Sequence, residues 1–106
     1  MIGKMAGIDL RKLQQVITNA SGNSSAFRNI AEKAFGRSFE ATFALDLAHK
    51  DLRLALELAD ELGVPGMIAP QVMNLMRIAR ARGMGGDDSS SVIRVYEQAL
   101  GSEVRP

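Results

Sequence analysis

Apolar residues recur along this chain at intervals of three and four, the spacing that lines one face of an α-helix. Leu10, Leu13, Val16 and Ile17 predict a helix over 10–20, with Asp9 placed to cap it. Residues 1–6 form a short lead, the frayed end of a longer helix, and Gly7 breaks it. After the loop SGNSS at 21–25, whose last serines can cap, Phe27, Ile30, Ala31 and Ala34 predict a helix that Gly36 stops. The longest helix spans 43–62, its stripe drawn by Leu45, Leu52, Ala55, Leu56, Ala59 and Leu62 and widened by Leu47, Leu54 and Leu58. A helix apolar over so much of its circumference belongs at the centre of a domain. Gly63 and Pro65 end it. A fourth helix, 68–82, turns Ile68, Val72, Leu75, Met76 and Ala79 inward, with Pro70 in its first turn and Gly83 after it. GMGGDDSS reads as a flexible loop, Asp88 or Ser89 caps a last helix through Leu100 with Val92, Ile93, Tyr96 and Leu100 inward, and GSEVRP at 101–106 is a flexible tail.

No stretch alternates apolar and polar for long, and Ala, Leu, Met, Arg and Glu favour helix, so the fold class is all-α. The 106 residues fit one domain, with no internal repeat. With 46% apolar and 24% charged residues the chain is typical of soluble globular proteins, and its net charge of +1 argues against nucleic acid or an anionic membrane as partner. The absence of cysteine excludes disulfides and thiolate metal sites and fits a cytoplasmic location. No apolar run is long enough to span a bilayer.

Few residues suggest chemistry. The cluster Gly83-Met84-Gly85-Gly86 follows a helix and lacks a Lys-Ser/Thr, which fails the context of a phosphate loop. Arg77, Arg80 and Arg82 complement a helix C-terminus and have no interleaved aromatics for stacking nucleotides. His49, the single histidine, has only Asp46 and Asp51 near it on the helix, too weak a set for a metal site. Tyr96 fits a core edge, and the six methionines fit gap-filling. Lys50 has an ordinary partner in Asp46, four residues earlier, and Asp51 fits a surface acid. By themselves these residues stop at a soluble helical domain.

The stretch FEATFALDLAHKDLRLALELADELGVP adds more. Phe43, Leu45, Lys50-Asp51-Leu52, Leu54-Ala55-Leu56 and Gly63-Val64-Pro65 stand in an order that resembles the C-terminal domain of the β-hydroxyacid dehydrogenases. That family includes 3-hydroxyisobutyrate dehydrogenase and the tartronate, succinic and glyoxylic semialdehyde reductases, and is related to 6-phosphogluconate dehydrogenase. AGIDLRKLQQVITNASGNSSAF is similar to the segment after the family's interdomain helix, and ARGMGGDDSSSVIRVYE to its final loop and helix. The resemblance covers residues 5–98.

The resemblance implies about five helices in a compact orthogonal bundle, with 1–6 a remnant of the interdomain helix. It implies that Lys50 contacts an NAD or NADP cofactor, and that Phe43 and Asp51 line the substrate side of a cleft. The full enzyme passes a hydride between nicotinamide and a short 3-hydroxyacid or semialdehyde. This chain departs from that enzyme in lacking a G-x-G-x-x-G after a strand and the family's Ser-Gly-Gly loop. It also lacks the catalytic lysine, since Lys4 in GKMAG has no Asn four residues on and lies too near the following segment. The expectation is a cofactor- and substrate-capping and dimerisation domain, inactive without a Rossmann domain supplied separately. The alternative is a stand-alone helical assembly module without catalysis. Either way an apolar strip near Ile2, Met5, Leu10 and Leu13 predicts a homodimer or higher self-association.

Overall fold

The starts of the second and third helices rest on side chains that take up free backbone N–H. Asp9 accepts from Lys12 N at 3.1 Å and Ser24 from Phe27 N at 2.9 Å, one cap per helix. The computed structural model describes residues 1–106. Its elements are α1 (Ile2–Met5), α2 (Leu10–Thr18), α3 (Ser25–Gly36), α4 (Leu45–Glu61), α5 (Ala69–Ala81), a 3₁₀ turn (Ser89–Val92) and α6 (Ile93–Leu100). The fold is all-α, and the sole bridge of β type pairs Ala44 with Asp88. Gly7, Gly63 and Gly83 take positive φ at the chain reversals, as the sequence predicts. The α3 exit differs. The left-handed residue there is Arg37, with φ 55°, and its conformation is held by ion pairing of its guanidinium to Glu97.

The core has two parts. Leu45, Ala79, Met84 and Val95 form one, with Leu75, Met76 and Val92 packed on it. Leu10, Ala34 and Val104 form the other, with Met1, Leu13, Phe35 and Ile93 around them. The neighbours Val92 and Ile93, at the head of α6, therefore serve different parts. An apolar pocket of about 210 Å³ lies beside the second part, lined by Leu10, Leu13, Ile17, Phe27, Ile30 and Phe35 among others.

Several helix faces differ from expectation. α4 enters the core only through Leu45 and Ala48, while Leu47, Leu54, Leu58 and Leu62 stand in solvent, Leu58 55% exposed and Leu62 69%. Only α5 and the 84–91 region cover this helix, so its broad stripe finds no second neighbour. α5 buries Met73 and Ala79 and leaves Ile68 and Val72 exposed. In α6 the inward residues are Val95 and Glu97, with Tyr96 and Leu100 outside, because the 3₁₀ turn shifts the register. Glu97 survives burial because Arg37 donates to both its oxygens and Val104 N donates to one. That last bond, and the seat of Val104 in the core, anchor the terminal segment expected to be loose. Of the strip near the N-terminus, Leu10 is buried and Leu13 half-buried, which leaves Ile2, Met5 and Ile8 as its exposed part.

The folded chain retains an accessible surface of 6733 Å². A monomer of 11.4 kDa is expected to show about 5,800 Å². Its radius of gyration is 14.8 Å, against about 13 Å for this length. The surplus surface is the exposed apolar side of α4, the α4–α5 turn and α1.

Candidate functional site

α4 carries two of the three candidate residues, and helical geometry decides where they point. At 100° per residue, Leu47, Lys50, Asp51, Leu54 and Leu58 fall on one face. It is the face turned away from the core. Lys50 is 51% and Asp51 57% exposed, and their ammonium and carboxylate meet at 2.9 Å. Phe43, two residues before the helix, is 43% exposed. Lys50 and Asp51 thus stand on the open face of α4, and Phe43 is part-exposed in the segment that leads into the helix.

The expected Lys50–Asp46 pair does not form. Asp46 instead receives Nε of Arg80 from α5, a contact between helices that ties α4 to its neighbour. Gly85 makes room for it, since a Cβ there would lie 2.7 Å from both Asp46 carboxylate oxygens. His49 lies 3.4 Å from Arg80 Nη1 by either ring nitrogen. Partial burial first, then the Arg80 and Arg77 charges, push its pKa below the usual value, while Asp46 pulls the other way. Arg82 donates to Val95 O and Gln98 on α6. The three arginines therefore do separate jobs at the α5 end. No group of three His, Cys, Asp or Glu residues lies together as a metal site would need, and no helix is long and apolar enough to cross a membrane.

The segment that presents Phe43 has no regular structure, yet Phe39, Glu40, Thr42 and Phe43 are each tied by hydrogen bonds. Asp88, 1% exposed, is the main tie. Its Oδ2 accepts from Lys33 Nζ, Thr42 N, Thr42 Oγ1 and Phe43 N. Its Oδ1 accepts from Ser90 N and Ser90 Oγ. Burial alone would raise the carboxyl pKa, but the bonds from Lys33, Ser90 and Thr42 outweigh it and hold the group well below the usual range. Phe43 O accepts from Ser89 N at 2.8 Å and Phe39 O from Asp88 N at 2.9 Å. Leu45 N and Asp46 N donate to the carbonyls of Asp87 and Gly85, so the start of α4 is satisfied without a side-chain cap. The loop expected over 83–90 is thus the scaffold of the candidate site. The sequence signalled only part of this, in the capping role open to Asp88. Lys33 and Thr42 gave no signal, because their meeting with Asp88 spans 55 and 46 residues.

Known proteins are similar to this chain in sequence and fold. The model of a family described as NAD-binding of NADP-dependent 3-hydroxyisobutyrate dehydrogenase matches residues 1–96. A 2-(hydroxymethyl)glutarate dehydrogenase of Eubacterium barkeri is 37% identical over 98% of the chain, which corresponds to 35% of the relative. An L-threonate dehydrogenase of Escherichia coli K12 is 34% identical over 86% of the chain and 30% of the relative. The crystal structure of a 3-hydroxyisobutyrate dehydrogenase from Salmonella typhimurium superposes with a TM-score of 0.83 at 32% identity, over 89% of this chain and 33% of that one. The chain spans about a third of the length of these relatives. On this match of sequence and fold, the chain belongs to the family of the NAD-binding part of NADP-dependent 3-hydroxyisobutyrate dehydrogenase.

Proposed function

We propose that this chain is the domain that caps cofactor and substrate in an NAD(P)-dependent β-hydroxyacid dehydrogenase. The observation that carries the reading is the open face of α4, where Lys50 and Asp51 stand exposed among a row of uncovered leucines, with Phe43 exposed in the segment just before the helix. Such a face suits a cleft shared with another piece of protein, since apolar patches of several hundred Å² seldom stay bare. In this reading Lys50 offers its ammonium to the nicotinamide cofactor. Phe43 walls the substrate side against water, and Asp51 borders the same side and steadies Lys50. When bound, the nicotinamide supplies the hydride chemistry for a short 3-hydroxyacid or semialdehyde. The domain's own share is orientation and exclusion of water. It has no strand, and so no strand-borne glycine fingerprint for the pyrophosphate, which a Rossmann domain must hold. The catalytic lysine is assigned to that other piece as well.

The test joins this chain to the N-terminal two-thirds of the Eubacterium barkeri relative and measures semialdehyde reduction with NADH and NADPH. The expected result is turnover that the isolated chain lacks. Lys50→Ala then raises the KM for cofactor, and Phe43→Ala or Asp51→Ala the KM for substrate, each about tenfold. Turnover indifferent to all three substitutions would remove the assignment. The exposed row Leu54, Leu58 and Leu62, with Ile2, Met5 and Ile8, also supports self-association of the chain, expected as a dimer in sedimentation velocity. A monomer at every concentration would overturn that part.

A further inference from the structure

We propose that Lys33 and Asp88 are positioning residues for the substrate side of the cleft, acting through the backbone of Thr42 and Phe43. The inference rests on the capping reading above and adds to it how Phe43 is aimed. The Phe43 ring is nearly half exposed, so packing alone does not fix it. Its backbone is fixed instead, with N–H bonded to Asp88 and C=O to Ser89. A residue whose backbone is held on both sides has its Cα–Cβ direction set, which leaves the ring only a few staggered χ1 positions.

The Asp88 carboxylate divides its work between its oxygens. Oδ1 serves its own loop through Ser90, which is what a turn needs for stability. Oδ2 faces the Phe43 segment and gathers two backbone N–H groups, the Thr42 hydroxyl and the Lys33 ammonium. Lys33 adds a second grip, donating to Thr42 Oγ1 at 2.8 Å and to Glu40 O at 3.3 Å. A neutral donor could fill one of these places. The singly charged ammonium, with its three donors, neutralises the buried carboxylate and ties Glu40 and Thr42 at once. The other end of the segment is closed by the Phe39 ring, stacked with Arg37 at 4.9 Å and Arg94 at 5.5 Å. The clamp thus ends at Phe43, two residues before the first turn of α4, the helix that carries Lys50. Since Leu45 N and Asp46 N hang on the same loop, one device sets Phe43 and the base of the Lys50 helix in a common frame.

The experiment uses the joined enzyme described above and the 106-residue chain together. Lys33→Met and the isosteric Thr42→Val are compared with Met73→Ala, which opens the core under α5 and leaves the clamp intact. Expected are substrate KM values about tenfold higher for Lys33→Met and Thr42→Val, with kcat changed by less than about threefold. Met73→Ala lowers the melting temperature without raising KM. In the chain alone, hydrogen exchange at the Thr42 and Phe43 amides speeds up about tenfold in both clamp variants while α5 amides keep their rates. Unchanged KM in both clamp variants, or an equal rise in Met73→Ala, reduces the pair to a structural one and overturns the proposal. Amides that do not respond overturn it directly. A wild-type joined enzyme without turnover, with amides that do respond, defeats the dehydrogenase reading and takes the cleft role with it, leaving an anchor for a loop.

Discussion

Residues 84–91 and the second half of α4 exchange the roles their compositions suggest. The first region is short, polar and glycine-rich. It supplies Met84, Asp88, Ser90 and Ser91, four of the five largest fully buried side chains. The second is a leucine-rich helix, and it faces solvent. The difference lies in partners. The buried side chains of Asp88 and Ser90 meet donors or acceptors from within the loop and from the Lys33 and Thr42 segments, while Ser91 Oγ has none. Leu54 and Leu58 stay uncovered, because α5 and the 3₁₀ turn are the main neighbours of α4 and both pack on its other side. Burial in this molecule follows the completeness of the contact, and hydrophobicity alone does not decide it.

The sharpest way to break this comparison is to remove the polar centre. Asp88→Ala leaves Lys33 and five other donors without their acceptor and is expected to cost about 3–5 kcal/mol, read from urea unfolding. Leucine truncations follow. Leu45→Ala, in the core, is expected to cost about 2–5 kcal/mol, and Leu58→Ala, on the open face, less than about 0.5 kcal/mol. Equal losses at the two positions would show that α4 is buried in solution, through a dimer, and the comparison would then hold only for the separate chain.

Acid sharpens the same contrast. Asp88 and Glu97 hold their protons less readily in the fold than at their usual values of 3.8 and 4.5. For both, burial pushes upward and is outweighed, by Lys33, Ser90 and Thr42 at Asp88 and by Arg37 and Val104 at Glu97. The unfolded chain therefore binds more protons than the folded one on acidification. Stability is fully present above about pH 5 and is lost as pH falls through 4.5 and 3.8 toward the lower folded values. Urea midpoints followed downward from neutrality would read this, and a flat profile would contradict the tie. Gly85→Ala is milder. Its Cβ displaces the Asp46 carboxylate and loosens the Arg80 contact, for about 1–2 kcal/mol in a melting experiment. Smallest in stability is Leu58→Glu, expected to change the unfolding midpoint little while weakening self-association in sedimentation.

Helices were legible because they are local. Asp9, Ser24, Gly63 and Gly83 announce ends that depend on a few neighbours, and the structure keeps them. The family too was legible, from the order Phe43, Lys50-Asp51, Gly63-Val64-Pro65. How much of a helix's circumference is covered was not, because that depends on how many neighbours arrive. α4 shows this for want of a neighbour, and in α6 a 3₁₀ turn rotates Val95 and Glu97 inward. The site was half legible. Lys50, Asp51 and Phe43 could be named from a motif, whereas Lys33 and Thr42 are ordinary residues whose meaning comes from meeting Asp88 across the chain. Glu97 escaped notice for the same reason, its partner Arg37 lying 60 residues away.

The two extremities of the chain touch, Lys4 Nζ donating to Arg105 O at 2.9 Å. A short linker from Pro106 to Met1 can therefore close the backbone into a ring. New termini opened at the exposed turn near Gly66 would give a rearranged polypeptide with the same packing. The same proximity lets the whole unit be spliced into a surface loop of a host protein, entering and leaving at nearly one point.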